Sequence, residues 1–270
     1  MGRMIRYSLL TVAFATLAIS ATEWEMVWHD EFDKDGPPDP ANWDFEYGFV
    51  RNEELQWYQP ENAVCKNGML VIEARREHKA NPNYKAGAGG GWKNREVIEY
   101  TSASLITRRK HEFTYGKFEM RAKIDTRKGS WPAFWTVGAR GAWPRGGEID
   151  IMEYYSGKLL ANVCHQLAGK QSWTSNTRQL KELGGDAWSK EFHTWTMEWD
   201  EKKIDLLVDG KLLTHFDVAS DDEANKPNAF RQPQYIILNQ AIGKNGGDPS
   251  GTEFPVRYEI DWVRVYQAKK

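Results

Sequence analysis

The chain is expected to be all-β, a single sandwich of two packed antiparallel sheets. Three features predict this. Short runs rich in β-branched and aromatic residues recur between Gly, Asn, Asp and Pro. Asp209-Gly210 joins two such runs, the signature of a type I′ hairpin. No segment keeps a helical period beyond about two turns.

The runs follow in order. Met69–Ala74, Ser102–Thr107 and Gly116–Ile124 are expected strands, as are Lys203–Val208 and Lys211–Phe216 on either side of the hairpin turn. Tyr235–Gln240 and Tyr258–Tyr266 are the last long ones. Residues 219–228 are the one stretch that suggests a short helix. Lys79–Lys93, with its run Gly87–Gly91, and Ala168–Ser189 are expected to be long loops. Loops of that length in a compact domain are usually functional or mobile. No repeat or linker divides residues 22–270, so one domain is expected.

Of the 270 residues, 40% are hydrophobic and 13 are Trp, more than a core of this size needs. Some are expected to line a cleft, where flat apolar faces stack on a ligand. The net charge of −2 and the lack of any Lys/Arg block argue against nucleic acid or an anionic membrane as partner. Arg3 and Arg6 precede the apolar run Leu9–Ile19 and then Ser20-Ala21. That order is expected of a cleavable signal spanning residues 1–21, hence a secreted or periplasmic protein, and the run is too short to span a bilayer. Cys65 and Cys164 leave both a disulfide and two small core residues open.

The most informative segment is Glu148-Ile-Asp-Ile-Met-Glu153. Alternation along a strand puts Glu148 and Asp150 on one face. One extra residue near Ile151-Met152, a β-bulge, brings Glu153 to the same face. Three acids there repel each other unless they share protons or bind something. A solvated acidic face is the bland alternative, and the aliphatics between the acids oppose it. Two carboxyls about 5–5.5 Å apart can cleave a glycosidic bond with retention, one as nucleophile and one as acid then base. Asp150 would sit between them and tune Glu148, while crowded charge raises the proton affinity of Glu153. Spacing alone does not say which Glu plays which role.

Trp131 and Trp143, at strand or loop edges, are candidate sugar-stacking residues, and Trp135 suits either core or cleft. His165 is expected on the neighbouring strand, in reach of Asp150 or substrate. No His/Cys metal cluster, Ser-His-Asp set or phosphate loop is recognisable.

Glu148–Glu153, with the preceding Trp143-Pro-Arg-Gly-Gly147, resembles the active-site signature of glycoside hydrolase family 16, in its bulged, laminarinase-like branch. Trp28–Asp33, Asn52–Tyr58, Tyr100–Ser102, Phe113–Phe118, Trp131–Trp135 and Glu259–Tyr266 are similar to other family segments and occur in the right order. The resemblance implies a β-jelly roll with a concave cleft and endo-acting, retaining cleavage of a β-linked polysaccharide, most simply β-1,3- or mixed β-1,3/1,4-glucan. It implies Glu148 as nucleophile, Asp150 as its helper, Glu153 as acid/base and Asn52 at a sugar subsite. It implies no catalytic cofactor. A structural calcium is also implied, held by Glu31, the Gly68 carbonyl and Asp261. A monomer is expected.

Four stretches depart from the branch's usual pattern: Phe49-Val-Arg51-Asn52 precedes Glu53, Ser104 stands where Arg is frequent, Gln166 follows His165 where an aromatic is frequent, and the loop Gly243–Gly247 carries no Trp. These departures keep open an endo-β-galactanase acting on algal galactans or mucin-type glycans. Arg51, Lys93 and Arg145 would be the basic residues for a sulfated one. From another class, a non-catalytic carbohydrate-binding sandwich is the alternative.

Overall fold

A computed structural model describes residues 22–89, 91–224 and 226–269. The expected signal segment, residues 1–21, lies outside the described residues. In chain order the first strands are Trp24–Asp30 (β1), Asp44–Phe45 (β2), Gln56–Tyr58 (β3), Ala63–Cys65 (β4), Leu70–Ala80 (β5) and Val97–Ser102 (β6). Ser104–Ile106 (β7), Gly116–Ile124 (β8), Ser130–Gly138 (β9), Glu148–Tyr155 (β10), Lys158–Leu167 (β11) and Lys170–Gln179 (β12) follow. The last are His193–Trp199 (β13), Lys203–Val208 (β14), Lys211–Asp217 (β15), Gln234–Ile242 (β16) and Val256–Ala268 (β17).

They form two sheets. The seven-stranded one runs β12-β11-β10-β9-β16-β7-β2. The ten-stranded one runs β15-β14-β13-β8-β17-β5-β6-β3, with β1 added on β17 and β4 on β5. Pairing is antiparallel except between β3 and β6. The architecture is the expected jelly-roll sandwich.

Period-two patterning builds the core. Along β8, Phe118, Met120, Ala122 and Ile124 are buried while the residues between them are partly exposed. They join Phe134, Ile149, Ile151 and Met152 of the smaller sheet in one cluster with Trp43, Trp195 and Trp199. Each large apolar side chain removed from water contributes about 1.5–3 kcal/mol. Asp209 and Gly210 both take positive φ, 48° and 72°, as a type I′ hairpin requires.

Three expected elements differ. The run Ser102–Thr107 is two strands that change sheets at Ala103, so its buried faces belong to both layers. The expected loop Ala168–Ser189 contains the ten-residue strand β12 and two single-turn helices, Leu180–Leu183 and Asp186–Ser189. Its sequence hides the strand because β12 is a sheet edge, mostly exposed, and needs no apolar alternation. Among the described residues of 219–228 there is no α-helix; a 3-10 turn, Val218–Asp221, starts where Asp217 accepts a hydrogen bond from the Ala219 amide. Cys65 and Cys164 are free, buried and in different sheets, and burial pushes both thiols up to about 12.

The turn between β9 and β10 is drawn tightly against the sheet end. A Cβ placed on Gly138 would lie 2.0 Å from the Gly146 carbonyl oxygen. Both partners are backbone, so neither can rotate away. Gly138→Ala is expected to cost on the order of 3 kcal/mol in urea unfolding. Wild-type stability in that variant would show that the turn can yield.

Candidate active site

Register across the smaller sheet sets out the site in rows. Glu148 faces Val137 of β9 and Cys164 of β11. Asp150 faces Trp135 and Asn162, and Glu153 faces Ala133 and Leu160. Between Asp150 and Glu153 the register slips by one residue on both sides. Ile151 and Met152 are both fully buried there, and the slip returns Glu153 to the face of the other two acids. All three line one open cleft of about 1020 Å³.

Each outer carboxylate has its own indole donor. Trp143 Nε1 donates to Glu148 Oε2 at 2.6 Å, and Trp131 Nε1 donates to Glu153 Oε1 at 2.7 Å. Asn162 Nδ2 bridges the inner pair, donating to Asp150 Oδ2 at 3.0 Å and Glu153 Oε2 at 2.9 Å. The Asp150 carboxyl is also within hydrogen-bonding reach of both Glu148 and Glu153. One small carboxyl thus spans the space between the outer two.

Burial raises the proton affinity of all three acids, to different extents. Asp150 is pushed well above the carboxylate range, first by burial and then by the charges of Glu153 and Glu148. Glu153 is raised to about 7, first by burial and opposed by the Trp131 hydrogen bond. Burial also raises Glu148, but Trp143, the charge of Arg51 and a hydrogen bond with Asp150 all oppose the rise. The arrangement makes Asp150 and Glu153 the stronger proton holders and opposes proton uptake most at Glu148.

The remaining expected residues divide. Asn52 lines the cleft, takes φ 55° and donates to Glu54 Oε1 at 3.3 Å. Trp143 is 52% exposed and offers a free face. Trp131 is only 7% exposed, so its hydrogen bond to Glu153 leaves little face for stacking. Trp135 lines the cleft, but Nε1 is tied to Asn239 Oδ1 at 2.7 Å and the Arg51 guanidinium lies 5.0 Å from its ring centroid.

His165 does not reach the acids. Asn162 and Cys164 occupy the cleft face of β11, so alternation turns His165 inward. There it is 2% exposed, packs beside Phe216 and Phe230, and its Nδ1 lies 2.6 Å from Asp221 Oδ1.

Glu31, Gly68 and Asp261 do not make a calcium site as placed. Arg264 grips Glu31 through Nε and Nη2, both at 2.8 Å, and Arg121 pairs with Asp261. Among the described residues no three His, Cys, Asp or Glu side chains converge on a metal position. A divalent ion would have to displace two guanidinium groups from the carboxylates it needs.

Asn162, Asn239 and Tyr155 are cleft residues that sequence reasoning missed, while Arg51, expected there, does line the cleft. For Asn162 a signal existed. Ser156-Gly157, with φ 50° and 79°, is a two-residue hairpin that pairs Tyr155 with Lys158. Counting back from it through the bulge puts Asn162, not His165, beside Asp150.

Glu153 carries a stability consequence. Its proton affinity is raised on folding, from 4.5 to about 7. The stabilisation this gives is complete below about pH 4.5 and is lost as pH rises through 7. Glu153→Gln should therefore gain on the order of 2 kcal/mol over wild type at pH 8 and little at pH 5. Thermal melts at both pH values test this; an equal gain at each would contradict it.

Residues 52–264 match the family model described as Glycosyl hydrolases family 16. The chain is 36% identical to a beta-glucanase of Rhodothermus marinus, over 92% of this chain and 86% of that protein. Two solved structures are also close. One, described with endo-acting O-glycanases of the human gut microbiota that initiate mucin breakdown, superposes with a TM-score of 0.82 at 36% identity, covering 91% of each chain. The other, the catalytic domain of an endo-1,3-beta-glucanase (laminarinase) from Thermotoga petrophila, superposes with a TM-score of 0.78 at 35% identity, covering 93% of this chain and 100% of that one. With the bulged triad of acids at the centre of the matched region, the chain belongs to glycosyl hydrolase family 16.

Proposed function

We propose that the protein is an exported, endo-acting β-glucan hydrolase that cleaves β-1,3- or mixed β-1,3/1,4-linkages with retention. Membership of the family makes it a glycoside hydrolase that needs no catalytic cofactor. One observation carries the division of roles: three carboxyls share a face, and each meets a different set of donors. Glu148, which Trp143 and the Arg51 charge favour as an anion, attacks the anomeric carbon. Glu153, protonated up to about pH 7, gives its proton to the departing glycosidic oxygen. A water then enters, gives a proton back to Glu153 and releases the glycosyl group from Glu148. Asp150 keeps a proton between them and hydrogen-bonds Glu148, steadying it before and after attack.

The glucan choice is supported by the beta-glucanase and laminarinase relatives. The basic, apolar, then small order of residues 1–21 supports export. A neutral β-galactosyl linkage is the second reading, favoured by the likeness to the mucin-degrading O-glycanase structure. A sulfated galactan fits less well. Arg51 is already charge-paired with Glu46, Lys93 lies over the Trp92 ring, and Arg145 does not line the cleft. A binding-only sandwich has no need of three acids crowded around a buried Asp150.

Reducing-end release from laminarin, barley glucan, agarose, carrageenan and mucin identifies the substrate. Glu148→Gln is expected to lose about a thousandfold or more in kcat on whichever glycan the wild type cleaves. A residual rate near wild type would remove Glu148 as nucleophile, and glycan binding without turnover in either protein would leave a lectin. Trp131→Phe removes the donor that opposes proton uptake by Glu153, so the alkaline limb of kcat/KM should move to higher pH. An unmoved limb would show that another group sets it.

A further inference from the structure

We infer that Trp173 is a sugar-stacking platform at the β12 edge of the cleft, which makes the enzyme select for chain length. This rests on the glycan-hydrolase reading above. Register carries the placement. Val137, Glu148, Cys164 and Trp173 stand in one row across β9, β10, β11 and β12. Trp173 is therefore two strands from the nucleophile, roughly 10 Å at the usual spacing. That distance carries it past the sugar attacked by Glu148 and onto a more distant unit of a bound chain.

The side chain suits the task. Trp173 lines the cleft yet is 44% exposed, in a strand whose other residues are polar, Lys170-Gln-Ser-Trp-Thr-Ser-Asn-Thr-Arg-Gln179. Among the indoles beside the acids, Trp131 is committed to Glu153 and Trp135 to Asn239 and Arg51, while Trp143 bonds Glu148 through Nε1 and keeps a free face close to the nucleophile rather than along the cleft. No aromatic pair or cation contact among the described residues involves Trp173. Gln171 and Ser175 flank it two residues away on the same face and also line the cleft. An apolar plate between an amide and a hydroxyl matches a pyranose, which offers a flat C–H face ringed by hydroxyls.

The test compares wild type, Trp173→Ala and Trp173→Phe on laminari-oligosaccharides of increasing length and on laminarin, with kcat and KM measured separately. A ladder of neutral β-galactan oligosaccharides covers the second reading. For Trp173→Ala, kcat/KM is expected to fall about tenfold on long chains, through KM, and to stay at wild type on the shortest substrate cleaved. Trp173→Phe should restore most of the loss. Because the residue is exposed, unchanged melting temperatures are expected for both variants. Equal loss at every length, or a loss confined to kcat, overturns the platform while the hydrolase reading stands. A wild type that cleaves neither ladder overturns both.

Discussion

The site depends on one local constraint: between Asp150 and Glu153 the chain gives two consecutive residues, Ile151 and Met152, to the core. Both are fully buried, in the cluster that also holds Phe134 and Ile149. Each contributes roughly 1.5–3 kcal/mol by leaving water, and a regular strand would have to return one of them to the cleft. It would also turn Glu153 into the core, where an unpaired carboxylate costs far more than a lost methyl group. Apolar packing on one face of β10 therefore enforces the catalytic spacing on the other.

The same crowding that threatens stability divides the labour. Three carboxyls of one kind, within a few residues, would titrate alike in water. Here the protein separates them with donors. Trp143 and Arg51 bias Glu148 towards the anion, Trp131 restrains the rise of Glu153, and Asp150, the most deeply buried, keeps its proton. Asn162 bridges Asp150 and Glu153 with one amide nitrogen. The two glutamates, to which the proposed mechanism gives the roles of nucleophile and acid, thus differ in neighbours rather than in residue type.

Much of this was legible from the residues. The acids, the bulge and the sandwich follow from alternation, because core demand and period two leave little freedom. β8 and β14 match their expected spans. The misses have a common cause. β12 looked like a loop and His165 looked like a cleft residue because each depends on pairing register. A turn fixes register, and a run's own pattern does not. Long-range partners were equally hidden: nothing near Trp131 or Trp143 announces that their ring nitrogens seek carboxylates. Glu31 and Asp261 suggested calcium by resemblance, while Arg264 and Arg121, which neutralise them, come from positions whose proximity only the fold reveals.

Two of the departures from the family pattern, Arg51 and Ser104, turn out to be physically linked. Ser104 Oγ donates to Glu46 Oε2 at 2.6 Å, and that carboxylate pairs with Arg51. The guanidinium lies over Trp135, whose Nε1 holds Asn239, which in turn donates to Tyr58; Tyr58 then donates to Glu54 at 3.1 Å. A positive charge raised on β7, as an Arg in place of Ser104 would be, would stand against Arg51 and compete for Glu46. With Ser there, one cation is enough, and its charge acts on Glu46 and against proton uptake by Glu148. The floor of the cleft on this side is then a fixed, nearly neutral surface beside an acidic centre. A sulfate brought against that surface would find no unpaired cation there and would meet the charge of Glu148 when ionised.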